Sequence, residues 1–378
     1  MTDPKQTVIK VFGLGGGGSN AVNRMLDLGL EGVDFIAANT DAQALTLSLA
    51  PTRIQLGPRS TRGLGAGGKP EVGESAADES RAEIKAALAG ADLVFLTAGM
   101  GGGTGTGAIA VAAEVAQAIG ALTVAIVSTP FNFEASHRRR NAEGGLARLR
   151  PQVDTLITVP NDKLLPLLGR NGRFEIALRV ADEVLRQGVQ GITELVGKAG
   201  LINVDFANVR TLLKNSGNAM MAIGQGHGED KAMGAIQQAL KMPLLDMPTL
   251  NDARGVLIHF TGGDDLGLIE VSQAAEHLTH VAPNAEIAFG ATLDPLMTGR
   301  AQAIVIATGF SRTAAPASEP VNLAEALFSR AVATPPAPSP VPVEEAWFAS
   351  DAPAASQAHN LDMPAFLRRR RSLRDSQS

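Results

Sequence analysis

Gly101-Gly102-Gly103-Thr104-Gly105-Thr106-Gly107 is the stretch whose reading decides the fold. It follows the apolar run Leu93-Val94-Phe95-Leu96 and opens a helical stretch, Ala108 to Ile119. A strand that ends in stacked glycines and then starts a helix points unshielded backbone N–H groups at one spot. The helix dipole adds partial positive charge there, so the spot favours a phosphate. Glycines also let the backbone approach a ligand with no Cβ in the way. Thr104 and Thr106 add hydroxyl donors.

A second turn of this kind lies upstream. The strand Val8-Ile9-Lys10-Val11-Phe12 runs into Gly13-Leu14-Gly15-Gly16-Gly17-Gly18-Ser19-Asn20, then into a helix carrying Ala21, Val22, Met25 and Leu26. Two such turns at strand-to-helix junctions predict a nucleotide with several phosphates held between them. Working outward, strands are expected at Val8–Phe12, Val33–Ala37, Leu93–Ala98, Leu122–Ser128 and Thr155–Val159, alternating with helical stretches. That alternation predicts a mostly parallel sheet with helices on both faces, its ligand outside the carboxyl ends of the strands.

Arg173 to Gly197 reads as one helix, with Phe174, Ala177, Leu178, Ala181, Val184, Leu185, Ile192 and Leu195 at helical spacing. At 1.5 Å per residue it is roughly 36 Å long. A second α/β unit follows. Val209–Ile223, Asp230–Lys241 and Leu266–His280 read as helices, and Val256–Thr261, Glu286–Gly290 and Ala303–Ala307 as strands.

Composition narrows the classes. The 378 residues suffice for two domains, and 45% hydrophobic content supports a sizeable core. Cysteine is absent, which excludes disulfides and thiolate-held metals. His277 and His280 lie i,i+3 with no third ligand, too little for a metal site. The first ten residues lack the apolar core of a signal peptide, and no apolar run approaches the roughly 20 residues that span a bilayer. A soluble protein is expected, reaching membranes only through a partner or its tail. A net charge of −5 argues against broad nucleic-acid binding.

Two motifs admit other readings. Gly13-x-Gly15-x-x-Gly18 after a strand, with Asp41 downstream, also fits a dinucleotide fingerprint and hence an NAD-dependent oxidoreductase. The second glycine turn counts against it. Gly63-Leu64-Gly65-Ala66-Gly67-Gly68-Lys69-Pro70 nearly matches a P-loop, but Pro70 stands where the Mg²⁺-binding hydroxyl belongs. No helix is expected to continue cleanly from Lys69.

The turn Gly101–Gly107 resembles the signature of the FtsZ/tubulin superfamily of filament-forming GTPases. Five further motifs resemble its bacterial FtsZ branch more than tubulin: Asn39-Thr40-Asp41-Ala42-Gln43, Gly63–Gly67, Pro130-Phe131-Asn132-Phe133-Glu134, Pro160-Asn161-Asp162-Lys163-Leu164 and Asn203-Val204-Asp205-Phe206-Ala207. The likeness runs from about Val8 to Phe310 and resumes at Leu361–Leu367. It implies a Rossmann-like GTP-binding domain over 8–172, a central helix over 173–198 and a smaller α/β domain with the catalytic loop over 199–312. After these come a linker, 313–358, and a partner-binding tail, 359–378.

The resemblance also implies the site. GTP or GDP, with Mg²⁺, would meet Gly16, Gly17, Gly18, Ser19 and Asn20, and Gly103, Thr104, Gly105 and Thr106. Glu134 and Arg138 would contact the ribose and phosphates, although a plain i,i+4 surface pair fits the same spacing. Asp182 would accept guanine's N1–H and N2–H₂, with Asn161 assisting. The loop Asn203–Asn208 of the next subunit would complete the site, with Asn203, Asp205 and Asn208 as its polar residues.

Two positions depart from the family pattern. Leu178 replaces the phenylalanine that stacks on the base. Asn208 replaces the second of two acids, and an amide cannot take a proton or supply negative charge. The expectation is a cytoplasmic GTPase that polymerises head-to-tail at the mid-cell division site and hydrolyses slowly. A filament-forming relative with little GTPase activity and a plasmid-segregating relative are the neighbouring alternatives.

Thr313 to Ala358 holds eight prolines and one basic residue, Arg330. It buries too little apolar surface to fold, and reads as a disordered linker. Leu361–Leu367 and the run Arg368-Arg369-Arg370-Arg371 then read as an interaction tail for membrane-tethering and regulatory division proteins.

Overall fold

The computed structural model describes residues 7–168, 174–197, 200–242, 244 and 250–310. The expected linker and tail lie outside these residues, as does Arg173. The element order is β1 (Ile9–Leu14), α1 (Gly15–Asp27), β2 (Asp34–Asn39), α2 (Ala42–Thr46), β3 (Thr52–Gln55), α3 (Pro70–Glu79), α4 (Arg81–Leu88), β4 (Leu93–Gly99), α5 (Thr104–Ala118), β5 (Leu122–Thr129), α6 (Ser136–Leu149) and β6 (Thr155–Pro160). It continues with α7 (Phe174–Gly197), α8 (Phe206–Leu213), β7 (Gly217–His227), α9 (Lys231–Leu240), β8 (Gly255–Gly262), α10 (Leu268–Val281), β9 (Glu286–Leu293) and β10 (Arg300–Thr308).

Among the described residues the strands hydrogen-bond in the order β3-β2-β1-β4-β5-β6-β7-β10-β8-β9. From β3 to β6 every pair is parallel. The strand order reverses at β1 and β4, each followed by a crossover helix, α1 and α5, so a crevice opens outside their carboxyl ends. β7 pairs parallel with β6 at Gly217–Ala219 and antiparallel with β10 beyond it. One strand thus joins the parallel half to the mixed half.

The core follows the two faces. Val11, Phe35, Phe95, Val124 and Ile126 pack with α1 and α7 on one side. Phe12, Ile36, Leu96, Ala125 and Val127 pack with α3, α4 and α5 on the other. Strands buried on both faces read as continuous apolar runs, which is why β4 and β5 are visible in sequence. Ala222, Ile236, Ile258, Phe260, Val271 and Val305 form a third cluster under α9 and α10.

Four expectations need correction. The apolar spacing of Val209–Ile223 predicts a single helix, but α8 stops at Leu213 and β7 starts at Gly217. Asn215 at φ 55° and Gly217 at φ 71° turn the chain out of the helix between them. The glycines Gly15–Gly18, expected as a turn ahead of the helix, are themselves the first turn of α1. A helix does follow Lys69, because Pro70 occupies the first helical position, where its missing N–H removes no bond. β3, not expected at all, pairs with the edge of β2.

Candidate functional site

β1 and β4 deliver their glycine turns side by side. A Cβ on Gly15, whose φ is +69°, would lie 2.7 Å from the Gly105 nitrogen, and one on Gly18 would lie 2.4 Å from the Thr97 carbonyl oxygen. Only glycine lets the start of α1 press this closely against β4 and α5. A Cβ on Gly16 or Gly102 would meet nothing within 4 Å. Those two positions therefore border open space, with room for a ligand. No side chain caps α1 or α5, and neither has an acid in its first turn. Their first N–H groups and both helix dipoles are left for an anion.

Neighbouring segments wall the crevice. The Thr40 and Thr104 hydroxyls share a hydrogen bond of 2.6 Å across β2 and α5. Thr106 is buried, and its hydroxyl accepts from the Gly101 N–H at 2.8 Å, so it shapes the turn. Asn141 on α6 donates to the Gly68 and Gly101 carbonyls at 3.1 and 3.3 Å, tying Gly63–Lys69 to the same turn. The near P-loop match is thus a wall of the crevice between the glycine turns.

The segment after β5 brings in Glu134 and Arg138. The Phe131 N–H donates to Glu134 Oε1 at 2.9 Å, and Arg138 Nη1 lies 2.8 Å from Glu134 Oε2. Between them Ala135 sits at φ 84°, ψ 147°, a region that normally only glycine occupies. Arg138 also reaches the glycine turn, because a Cβ on Gly101 would come within 2.8 Å of its carbonyl oxygen.

Asn161 and Asp182 come from beyond β6. Asn161 is 5% exposed, and its Oδ1 is buried with no hydrogen-bond partner. The Ser19 hydroxyl on α1 is buried without a partner too. Buried polar atoms are normally paired, so both are acceptor or donor positions awaiting a partner. Asp182 is partly buried on α7. Desolvation pushes its carboxyl up to about 6, and the charge of Arg24 on α1 pulls the other way. Arg24 Nε lies 3.8 Å from Glu183 Oε2. Leu178, one turn before Asp182, is 39% exposed.

Asn203, Asp205 and Asn208 lie elsewhere. All three are exposed. Asn203 Oδ1 accepts from the Gly200 N–H at 2.6 Å. Asp205 is the N-cap residue of α8, with its carboxylate making no cap bond, and its backbone carbonyl accepts from the Asn208 N–H at 3.0 Å. Arg210 and Lys214, farther along α8, line a small cavity with Gly120, Ala121 and Leu122 at the amino end of β5. The glycine turns occupy the carboxyl end of the same sheet. From Asp182 to the end of α7 is about 22 Å of helix axis. The crevice and the Asp205 loop therefore occupy opposite ends of the molecule.

A crevice of this kind at the sheet's switch point defines a nucleotide-binding α/β protein of the phosphate-cradling class. Residues 8–169 match the Tubulin/FtsZ family GTPase domain, and 217–311 match the FtsZ family C-terminal domain. An empty FtsZ dimer from M. jannaschii shares 45% sequence identity, covering 81% of this chain and 89% of that one, at a TM-score of 0.78. CetZ2 from Haloferax volcanii, a GTPγS-bound protofilament, shares 20% identity over 81% of this chain and 94% of its own, at a TM-score of 0.69. CetZ1 from the same organism, a GDP-bound monomer, shares 18% over 81% and 95%, at 0.71. The two CetZ likenesses show the fold alone.

The chain belongs to the tubulin/FtsZ family, a GTP-binding, cytoskeletal family of cell division. The NAD reading falls with that membership. Asp41, its ribose candidate, instead caps α2, its Oδ1 accepting from the Gln43 and Ala44 N–H groups at 2.9 and 3.1 Å. No helix among the described residues is long and apolar enough to cross a membrane. Arg24 and Ala135 carry no signal in the sequence, since nothing in their spacing marks them; Thr40 stands there only as part of the Asn39–Gln43 motif.

Proposed function

We propose that this chain hydrolyses GTP at the contact between successive copies of itself, in filaments of the division ring. The observation that carries the reading is the placement of the nucleotide crevice and the Asp205 loop at opposite ends of one sheet. One copy cannot bring them together. Head-to-tail stacking can, because the amino end of one sheet then meets the carboxyl end of the next. The 45%-identical FtsZ from M. jannaschii is a dimer in its solved structure, which is consistent with self-association.

The residues divide the work. The first turns of α1, at Gly16, Gly17, Gly18, Ser19 and Asn20, and of α5, at Gly103, Thr104, Gly105 and Thr106, hold the phosphates. Glu134 and Arg138 hold the ribose side. The Asp182 carboxylate accepts two bonds from guanine's edge, and Asn161 Oδ1 gains the partner it lacks. Among the described residues no group of three or more His, Asp or Glu side chains could hold a metal, so Mg²⁺ would take its ligands mainly from phosphates and water. It would neutralise phosphate charge.

Asp205 of the next copy orients the attacking water and takes its proton. Asn203 keeps the loop turned through its bond to Gly200. Asn208, three residues on, hydrogen-bonds the water but offers no second charge. One carboxylate in place of two favours slow turnover, and with it the neighbouring reading of a filament protein with little hydrolysis. The protein would act in the cytoplasm at mid-cell, with the tail 359–378 taken by membrane-tethering partners. Sedimentation with Mg²⁺ and either GTP or ATP, with phosphate measured in the same tube, tests the reading. GTP alone should drive pelleting and phosphate release. Pelleting that is equal with ATP, or absent with GTP, would overturn it.

A further inference from the structure

A cleft of about 910 Å³ opens at the end of the molecule away from the nucleotide crevice, lined from three directions. Arg150 and Asp154 come from between α6 and β6, Lys214 and Ser216 from the end of α8, and Arg254, Glu286 and Phe310 from the β8, β9 and β10 side. Its size is that of a small-molecule site, not of a packing defect.

The charges in it are uncommitted. Arg150, Lys214 and Arg254 are all exposed, and none has a carboxylate within salt-bridge distance among the described residues. Arg150 Nε donates to Asn218 Oδ1, another lining residue, at 3.0 Å, which fixes one edge of its guanidinium. The stem of Arg254 lies over Gly309, where a Cβ would come within 2.7 Å of it, so that side chain too is held in place. Neither of the two acids forms an ion pair with them among the described residues. Asp154 Oδ2 accepts from the Thr123 N–H at 2.9 Å, and Glu286 reaches none of the three cations. Three cations converging on one pocket, two of them positioned forks, match phosphate geometry.

We propose that this cleft binds a small phosphorylated molecule carrying at least two phosphate groups, separate from the nucleotide crevice. Arg150 and Arg254 take one phosphate group each and Lys214 lies between them. Such a ligand bridges the parallel half of the sheet to the mixed half across the end of α8, the helix whose N-cap is Asp205.

Calorimetric titration of inorganic tripolyphosphate into the full chain saturated with GDP tests this, with ionic strength matched by chloride. GDP occupies the nucleotide crevice, so binding there is not read. One site should appear. Losing one charge-assisted contact should weaken it roughly tenfold in Lys214→Gln and in Arg254→Gln. Both variants should bind GDP as the parent does, which reports that they are folded. If Arg254→Gln fails that check because its stem packs on Gly309, Lys214→Gln on the exposed end of α8 carries the test. No binding, binding unchanged in Lys214→Gln, or binding displaced by further GDP would each overturn the proposal.

Discussion

If Asp182 reads guanine as proposed, stability and nucleotide selection oppose each other at that residue, and Asp182→Asn separates the two. Its carboxyl moves from an ordinary 3.8 to about 6 through burial, against the opposing charge of Arg24. A shift of that size corresponds to roughly 3 kcal/mol of unfavourable burial for the ionised form. The side chain is only partly buried and Arg24 can adjust, so about 1–3 kcal/mol is the working range. The folded-state pKa is raised. Below 3.8 the group is protonated folded and unfolded, and contributes nothing. The penalty grows between 3.8 and 6 and is complete above 6. In urea denaturation of the nucleotide-free protein, Asp182→Asn should therefore be more stable than the parent by about 1–3 kcal/mol near pH 7.5, with the gain vanishing towards pH 4. Guanine binding should move the other way. The amide offers a donor where guanine also has donors, so GTP affinity at pH 7.5 should fall by roughly 10- to 150-fold. In the parent, GTP affinity should fall about tenfold per pH unit below 6, because only the carboxylate accepts both bonds. A variant that is less stable than the parent at pH 7.5, or that binds GTP as tightly, would refute the reasoning.

Ala135→Gly should relieve a backbone held at φ 84°, ψ 147°. The strain is about 1–3 kcal/mol and glycine's extra unfolded-state entropy about 0.5–1, leaving a net gain near 1 kcal/mol in unfolding free energy, read as a raised denaturation midpoint; an unchanged or lowered midpoint would contradict it. Asn208→Asp should raise phosphate release per subunit roughly tenfold, about 1.4 kcal/mol of barrier, without changing GTP affinity. Removing residues 360–378 should leave GTP-dependent pelleting intact while abolishing capture by membrane-tethering division proteins; capture of the truncated chain at the parent's level would rule out that role for the tail.

The parallel sheet is legible because β1, β2, β4, β5 and β6 are buried apolar runs, two of them, β1 and β4, ending in glycine turns. β3 was not, since Thr52-Arg53-Ile54-Gln55 at an edge buries only Ile54. The α8–β7 boundary was missed because Met220, Met221 and Ile223 satisfy a helical period as readily as a strand, and only the turn at Asn215–Gly217 decides. The two adjacent glycine turns that open α1 and α5 could be read from glycine spacing alone. Which end of the sheet carries Asp205 could not, because spacing along a chain does not say that α7 runs back across the molecule. Ala135 was invisible for a different reason: alanine is silent about its own φ, and only the closed geometry of Phe131, Glu134 and Arg138 forces it positive.

Completion of the site by a second copy is the central claim, and phosphate release per subunit against protein concentration tests it most directly, run on the parent and on Asp205→Ala at saturating GTP and Mg²⁺. The account predicts near-zero release from dilute parent, a threshold, and a constant rate per subunit above it, with Asp205→Ala binding GTP normally but releasing no phosphate at any concentration. A rate per subunit that is the same in dilute monomer as in filaments, or undiminished in Asp205→Ala, would contradict it.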